Sequence, residues 1–291
     1  MIDRTEPASG VVVGVDGDHA TEGAVEWAAR EADRCHVSLD LVQVLPGSQT
    51  VPALQEPTGR AHALLDQARR RVESVAPGVA VRISVVEGGV GAALVQVAER
   101  AALLVIGSSG PAIDVNPTVG RTVAHVLGHA ACPVIVVPRL RRDDDGGPVL
   151  VGVDGSPDAV GAVDFAADVA DRRQATLVAL GVGPRLGAPT LEDMWRRQVA
   201  EAVAGIAEEY PDVPVREEVR RGNPDHEIVR GASGAQLIVL GSRGRGAITG
   251  ALLGSTSQAV VSQAPCPVAV LSPRAADAWT RRLRSAAGTS S

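Results

Sequence analysis

The stretch Gln236-Leu-Ile-Val-Leu240-Gly241-Ser-Arg-Gly244-Arg-Gly246, followed after a short gap by Gly254-Ser255-Thr256, decides the fold. Five residues, mostly aliphatic and ending in glycines, read as a buried strand that gives way to a loop where backbone comes close to something. Ser255-Thr-Ser-Gln-Ala-Val-Val then opens like a helix, with hydroxyl residues at its cap. Glycine leaves amide N–H groups uncovered, and a helix N-terminus adds a partial positive charge. Strand, glycine loop and helix start together make a cradle that suits a phosphate.

Working outward, the chain is a duplication. Val11-Val-Val-Gly-Val-Asp16-Gly17 recurs as Leu150-Val-Gly-Val-Asp154-Gly155, an offset of 154 − 16 = 138. Leu104-Val-Ile-Gly107 recurs as Ile238-Val-Leu-Gly241, an offset of 241 − 107 = 134, so one connection between Pro46 and Gly88 is shorter in the second copy. Repeats of this period are whole domains. The seam is the charged run Arg141-Arg-Asp-Asp-Asp-Gly-Gly. We expect one domain over 1–140, a second over 148–275 and a tail over 276–291.

Each copy alternates strands with helices. In the first, strands are predicted near 11–15, 38–44, 79–86, 102–106 and 133–137, and helices near 21–33, 59–74, 92–99 and 122–129. The second copy repeats the plan, with strands near 149–153, 176–182, 213–219, 236–240 and 267–271. Near-continuous apolar strands imply a sheet covered on both faces, so the fold class is α/β, with two tandem doubly wound five-stranded parallel-sheet domains. In the order 3-2-1-4-5 the switch point lies between strands 1 and 4. Asp154 ends the first of these in the second copy and the glycine loop leaves the other, so two sequence features converge on one crevice.

Composition narrows the chemistry. All 28 basic residues are arginine. The P-loop, Schiff-base and protein-kinase chemistries, which need lysine, are therefore excluded. A net charge of −6 argues against a nucleic-acid partner. No apolar run approaches the roughly 20 residues of a membrane helix, and the first residues lack a signal-peptide pattern. The expectation is a cytoplasmic protein. The three cysteines, Cys35, Cys132 and Cys266, read as buried reduced thiols. His125 and His129 share a helical face without a third ligand, Trp27 and Phe165 hold matching core positions, and the Asp225-His226-Glu227 run opens a helix. Asp16 and Asp154 as paired general acid and base is the weaker reading, because they lie in different copies.

The spacing Gly241-x2-Gly244-x9-Gly254-Ser255 resembles the nucleotide motif of the universal stress protein family. The likeness extends to Gly152-Val-Asp154-Gly-Ser-Pro157, to Gly222-Asn-Pro224, to Ala264-Pro-Cys-Pro-Val268, and, as a tandem pair, to nearly the whole chain. The resemblance implies a fold like that of the adenine nucleotide alpha hydrolases and binding of ATP, AMP or ADP, with Mg²⁺ an open question. It further implies a homodimer, a further protein partner, and a role in stress adaptation or growth control. Carried over, it places Gly152 and Asp154 near the ribose and base, and Val182 at the adenine edge. Gly241, Ser242, Arg243, Gly244, Arg245, Gly246 and Ala247 would wrap the phosphates, closed by Gly254, Ser255 and Thr256.

The first copy departs from this pattern. Its counterparts are Gly14, Asp16, Val44, Gly107, Ser108, Gly110 and Gly120, but Arg121 stands where serine or threonine belongs. Pro111 and Pro117 remove amide donors and Asp114 adds negative charge. A weaker site, or none, is expected there. Two rival functions stand beside nucleotide binding: slow hydrolysis of ATP, and a dimerising scaffold built on the apolar last strands, 134–137 and 268–271.

Overall fold

The computed structural model describes residues 10–45, 47, 57–108, 119–139, 146–185, 189–244 and 253–279. The first copy runs β1 (Val11–Gly14), α1 (His19–Arg34), β2 (Leu39–Leu45), α2 (Pro57–Val75), β3 (Val81–Glu87), α3 (Val90–Val97), β4 (Leu103–Gly107), α4 (Arg121–His129) and β5 (Val134–Val137). The second runs β6 (Val149–Val153), α5 (Pro157–Arg172), β7 (Leu177–Gly183), α6 (Pro189–Val203), α7 (Ile206–Glu209), β8 (Val215–Arg221), α8 (Pro224–Gly231), β9 (Leu237–Gly241), α9 (Ser255–Gln263) and β10 (Val268–Leu271). The predicted strands all form, with ends shifted by a residue or two, because the inter-strand hydrogen-bond ladder rather than the apolar run sets where a strand stops.

Val, Leu and Ile dominate the inner strands because both sheet faces are covered there, whereas the edge strands β3 and β8 carry charged residues and are partly exposed. Val11 and Val13 of β1 point into a core shared with α1 and α2, while Val12 points into the opposite core with α3 and α4. The second copy does the same, with α5 and α6 on the first face and α8 and α9 on the second. Successive strand residues enter opposite cores, so the alternation of polar and apolar residues typical of a half-exposed strand is missing.

Strand order is β3-β2-β1-β4-β5-β10-β9-β6-β7-β8, one sheet of 10 strands. Within each copy the pairing is parallel and in the predicted order. The copies join where β5 and β10 pair antiparallel, with Val136 opposite Val268, Ile135 opposite Ala269 and Val134 opposite Val270. The last strands, offered by the sequence as an interface across domains or subunits, thus meet each other inside the chain.

Of the segment after Ser272, expected as a short helix and a tail, residues 273–279 are described. They are helical, and Trp279 is buried against Phe165, ring centroids 4.8 Å apart in an edge-to-face arrangement. Arg172 lies over the same indole at 5.2 Å. An indole with a ring to meet and a guanidinium over its face keeps this turn in the core.

A second bond between the copies is ionic. Glu31 on α1 and Arg173, just past α5, pair at 2.6 Å with both side chains only 2% exposed. Arg173 also donates to Gln236 Oε1 at 2.9 Å and lies over Trp27 at 5.3 Å. The Gln236 amide donates in turn to the Gly147 carbonyl. One guanidinium therefore ties the first copy to the end of α5, and through Gln236 to the starts of β9 and β6.

Burial works to raise the Glu31 carboxyl, but the guanidiniums of Arg173 and Arg172 outweigh it and hold it below the usual 4.5. Because the folded value is depressed, the stabilisation is present above the unfolded value and is lost as pH falls through the folded one. Glu31→Ala leaves Arg173 buried without its carboxylate and should cost about 3–5 kcal/mol in urea unfolding at pH 7. The gap between wild type and Glu31→Gln should shrink as pH drops below about 4.5; a gap constant from pH 7 to 3 would contradict the pairing.

Candidate functional site

The carboxyl ends of β6, β7 and β9 and the start of α9 open into a cavity of about 460 Å³. One end is polar, lined by Asp154, Gly241, Arg243, Gly244, Gly254, Ser255, Thr256 and Ser257. The other is mostly apolar, with Leu180, Val182, Pro184, Trp195, Ile228 and Leu240 among its walls. Gly152 lies between them.

The polar end is built by bonds among its own residues. The first intrahelical bond of α9 is that of the Gln258 N–H to the Gly254 carbonyl at 3.1 Å. The amides of residues 255–257 precede it and, by helix geometry, have no acceptor within the helix. The Ser257 hydroxyl donates to the Gly241 carbonyl at 2.9 Å, locking the helix start to the strand end. The Gly254 N–H donates to the Ser242 carbonyl at 2.8 Å, closing the loop.

Asp158, in the first turn of α5, holds this loop and was not singled out in the sequence. Its carboxylate, 9% exposed, accepts the Ser242 hydroxyl at 3.2 Å and the Arg243 N–H at 3.2 Å, and lies 3.6 Å from the Arg243 guanidinium. Ser242 is therefore buried behind the loop, 2% exposed, rather than facing the cavity. Ser156 adds a further tie, its hydroxyl donating to the Arg243 carbonyl at 3.3 Å, while its N–H donates to Asp154 Oδ1 at 2.9 Å. Gly244 lies close against Asp154: a β-carbon there would stand 2.5 Å from Asp154 Oδ2.

The structure thus brings Gly152, Asp154, Val182, Gly241, Arg243, Gly244, Gly254, Ser255 and Thr256 around one cavity. Arg245, Gly246 and Ala247 lie outside the described residues. In the first copy, Gly14, Asp16, Val44, Gly107, Ser108 and Gly120 hold the matching strand ends and helix start, but Gly110, Pro111, Asp114 and Pro117 lie outside the described residues. The backbone exit is shared: the Ser108 N–H donates to Val137 at 2.8 Å as the Ser242 N–H does to Leu271 at 2.7 Å. The anchor is not shared, because the position matching Asp158 (158 − 138 = 20) is Ala20. Asp16 accepts the Asp18 N–H at 3.0 Å as Asp154 accepts that of Ser156, and it also accepts the Thr21 hydroxyl, where the second copy has Ala159.

The other chemical candidates resolve as packing. The His125 and His129 rings stack at 4.3 Å, and no cluster of metal-binding side chains occurs among the described residues. The three cysteines are free, and burial pushes the Cys35 and Cys266 thiols up to about 12, far from reactive thiolates. Trp27 and Phe165 are in the core. No helix among the described residues is long and apolar enough to cross a membrane.

If Asp158 is what holds the loop, Asp158→Ala should lower stability by about 1–3 kcal/mol, since it leaves buried donors without their acceptor. Hydrogen exchange at the Arg243 amide should accelerate in that variant while strand amides of β6 stay protected; unchanged exchange at Arg243 would show that the loop does not need the carboxylate.

The family model described as the universal stress protein family matches residues 9–138 and 147–272. A universal stress protein of Mycolicibacterium smegmatis is 36% identical over 291 residues, covering 91% of this chain and 97% of that one. One from Mycobacterium tuberculosis strain H37Rv is 35% identical over 298 residues, covering 90% and 94%. Among solved structures, a universal stress protein from Archaeoglobus fulgidus superposes with a TM-score of 0.71 at 21% identity, covering 91% of this chain and 97% of that one, a likeness of fold.

Proposed function

The chain belongs to the universal stress protein family, and from that premise we propose that its second domain binds an adenine nucleotide, ATP first among them. The observation that carries this reading is the cavity itself. The start of α9, whose amides at 255–257 have no acceptor within the helix, meets Gly244 and Arg243 on one wall, and Leu180, Val182, Trp195 and Ile228 supply apolar surface elsewhere, in a volume of about 460 Å³. That volume falls in the range of small-molecule sites, and the polar end suits an anion. Main-chain amides, hydroxyls and Arg243 take the place that lysine holds in a P-loop.

The first domain binds nucleotide more weakly or not at all, because it has Ala20 for the loop anchor and Arg121 for the hydroxyl at the helix start. Hydrolysis is at most slow. Asp154 is the only carboxylate among the described cavity residues, and no histidine lines the described wall to act as a base. The protein acts in the cytoplasm, in stress response or growth regulation, through a nucleotide-dependent shape read by another protein. A homodimer of this chain has to use a surface other than its last strands, which pair with each other.

Equilibrium dialysis against ATP tests the reading. Wild type should retain ATP, and Gly244→Glu, which sets a second carboxylate beside Asp154, should weaken binding at least about tenfold. Undiminished retention in that variant would remove the site assignment. Steady-state turnover of ATP should stay well below about 1 per second; faster turnover abolished by Asp154→Ala would make the protein an enzyme.

A further inference from the structure

The two copies differ at the apolar end of the cavity in a coordinated way. Strand β2 pairs with β3 and strand β7 with β8 in the same register, Leu39 opposite Val81 and Leu177 opposite Val215. The offsets between copies are 177 − 39 = 138 on the inner strand and 215 − 81 = 134 on the outer one. Carried into the intervening helices, the first offset matches Val199 to Ala61, Val203 to Leu65 and Ile206 to Ala68, all six buried. By that offset (195 − 138 = 57) Trp195 stands where the first copy has Pro57, at the start of α2.

Gly181 and Gly183 of β7 correspond by the first offset to Gln43 and Leu45 of β2. The first copy thus has side chains at both strand positions, and the second has bare strand backbone under Val199 and Trp195. The glycines are needed: a β-carbon at 183 would lie 2.9 Å from the Trp195 ring, and one at 181 would lie 3.6 Å from it and 2.6 Å from Val199. Trp195 also lines the cavity, over Gly183 of β7, a strand that β6 separates in the sheet from β9 and the loop leaving it. The other two tryptophans are in the core, Trp27 at 4% and Trp279 at 5% exposed.

The first copy fills these two strand positions with its own side chains, Gln43 and Leu45. Exchanging that arrangement for an indole at the cavity wall puts a flat aromatic surface where a planar ligand group would sit. Resting on the nucleotide reading above, we infer that Trp195 is the base-facing wall of the second domain's cavity and sets its preference for an aromatic base. Stacking on an aromatic face tolerates any base; the backbone groups of β7 beside it then choose among bases by their edges.

The test compares wild type, Trp195→Leu and Trp195→Phe with two ligands, ATP and inorganic tripolyphosphate, the latter read by competition against labelled ATP. Ligand-free melting temperatures report whether each variant is folded. ATP affinity should fall roughly 5- to 100-fold in Trp195→Leu and recover largely in Trp195→Phe. Tripolyphosphate affinity should stay within about twofold across all three. Tryptophan emission of wild type should change with ATP but not with tripolyphosphate, and the change should vanish in Trp195→Phe. If Trp195→Leu binds ATP as wild type does, or loses both ligands equally, the wall assignment is wrong while nucleotide binding stands. Failure of wild type to bind either ligand overturns the nucleotide reading and this inference with it.

Discussion

Two four-residue strands, β5 and β10, meet antiparallel at the centre of the molecule, and the rest of the architecture hangs on that contact. Each copy is a parallel sheet whose last strand presents a free edge of backbone donors and acceptors, and an unpaired edge invites association. Joining the two edges satisfies both rows at once and makes one sheet of 10 strands. An antiparallel junction relates the copies by an approximate two-fold axis, so α1 and α5 fall on the same face. Glu31 and Arg173 are brought together there, far apart in sequence. The pair is too deep for water to screen, which makes its geometry demanding: each charge is tolerable only with the other in place.

The same duplication that builds the frame lets the copies diverge at their strand ends. In the second copy one carboxylate, Asp158, reaches from the first turn of α5 to two donors on the glycine loop. A carboxylate near a helix N-terminus is favoured by the helix dipole, so the anchor also suits its own helix. Ser242 and Arg243 are thereby fixed from behind, and Gly241 and Gly244 stand at the cavity wall. The first copy keeps the strand end and the backbone exit but has alanine at the anchor position. Identical frames therefore carry unequal sites.

The cavity's other end follows a different logic. Glycines in a strand normally weaken it, because they add backbone entropy in the unfolded chain and bring no side chain to pack. Here Gly181 and Gly183 lie under Trp195 and Val199, so the lost packing is returned by the helix. The β7–β8 pairing remains continuous from Leu177 to Gly183 across that patch.

Much of this was written in the chain. Near-continuous Val-Leu-Ile strands specified a sheet covered on both faces, the internal offsets specified two copies, and the glycine spacing with the hydroxyls after Gly254 marked the cavity end of β9. The residues that matter most beyond these were silent, because their roles depend on contacts across the fold. Asp158 looks like any acidic residue in a helix's first turn until α5 is laid beside β9. Glu31 and Arg173 are ordinary helix charges until two sheets are joined edge to edge, and Trp279 seemed to belong to a tail until it found Phe165. Local pattern determines which segments are strands and helices, since each depends on the period of burial along its own length. Which side chains close a loop, bury a charge or wall a cavity is decided only by tertiary packing, since desolvation and pairing act between elements that sequence distance does not relate.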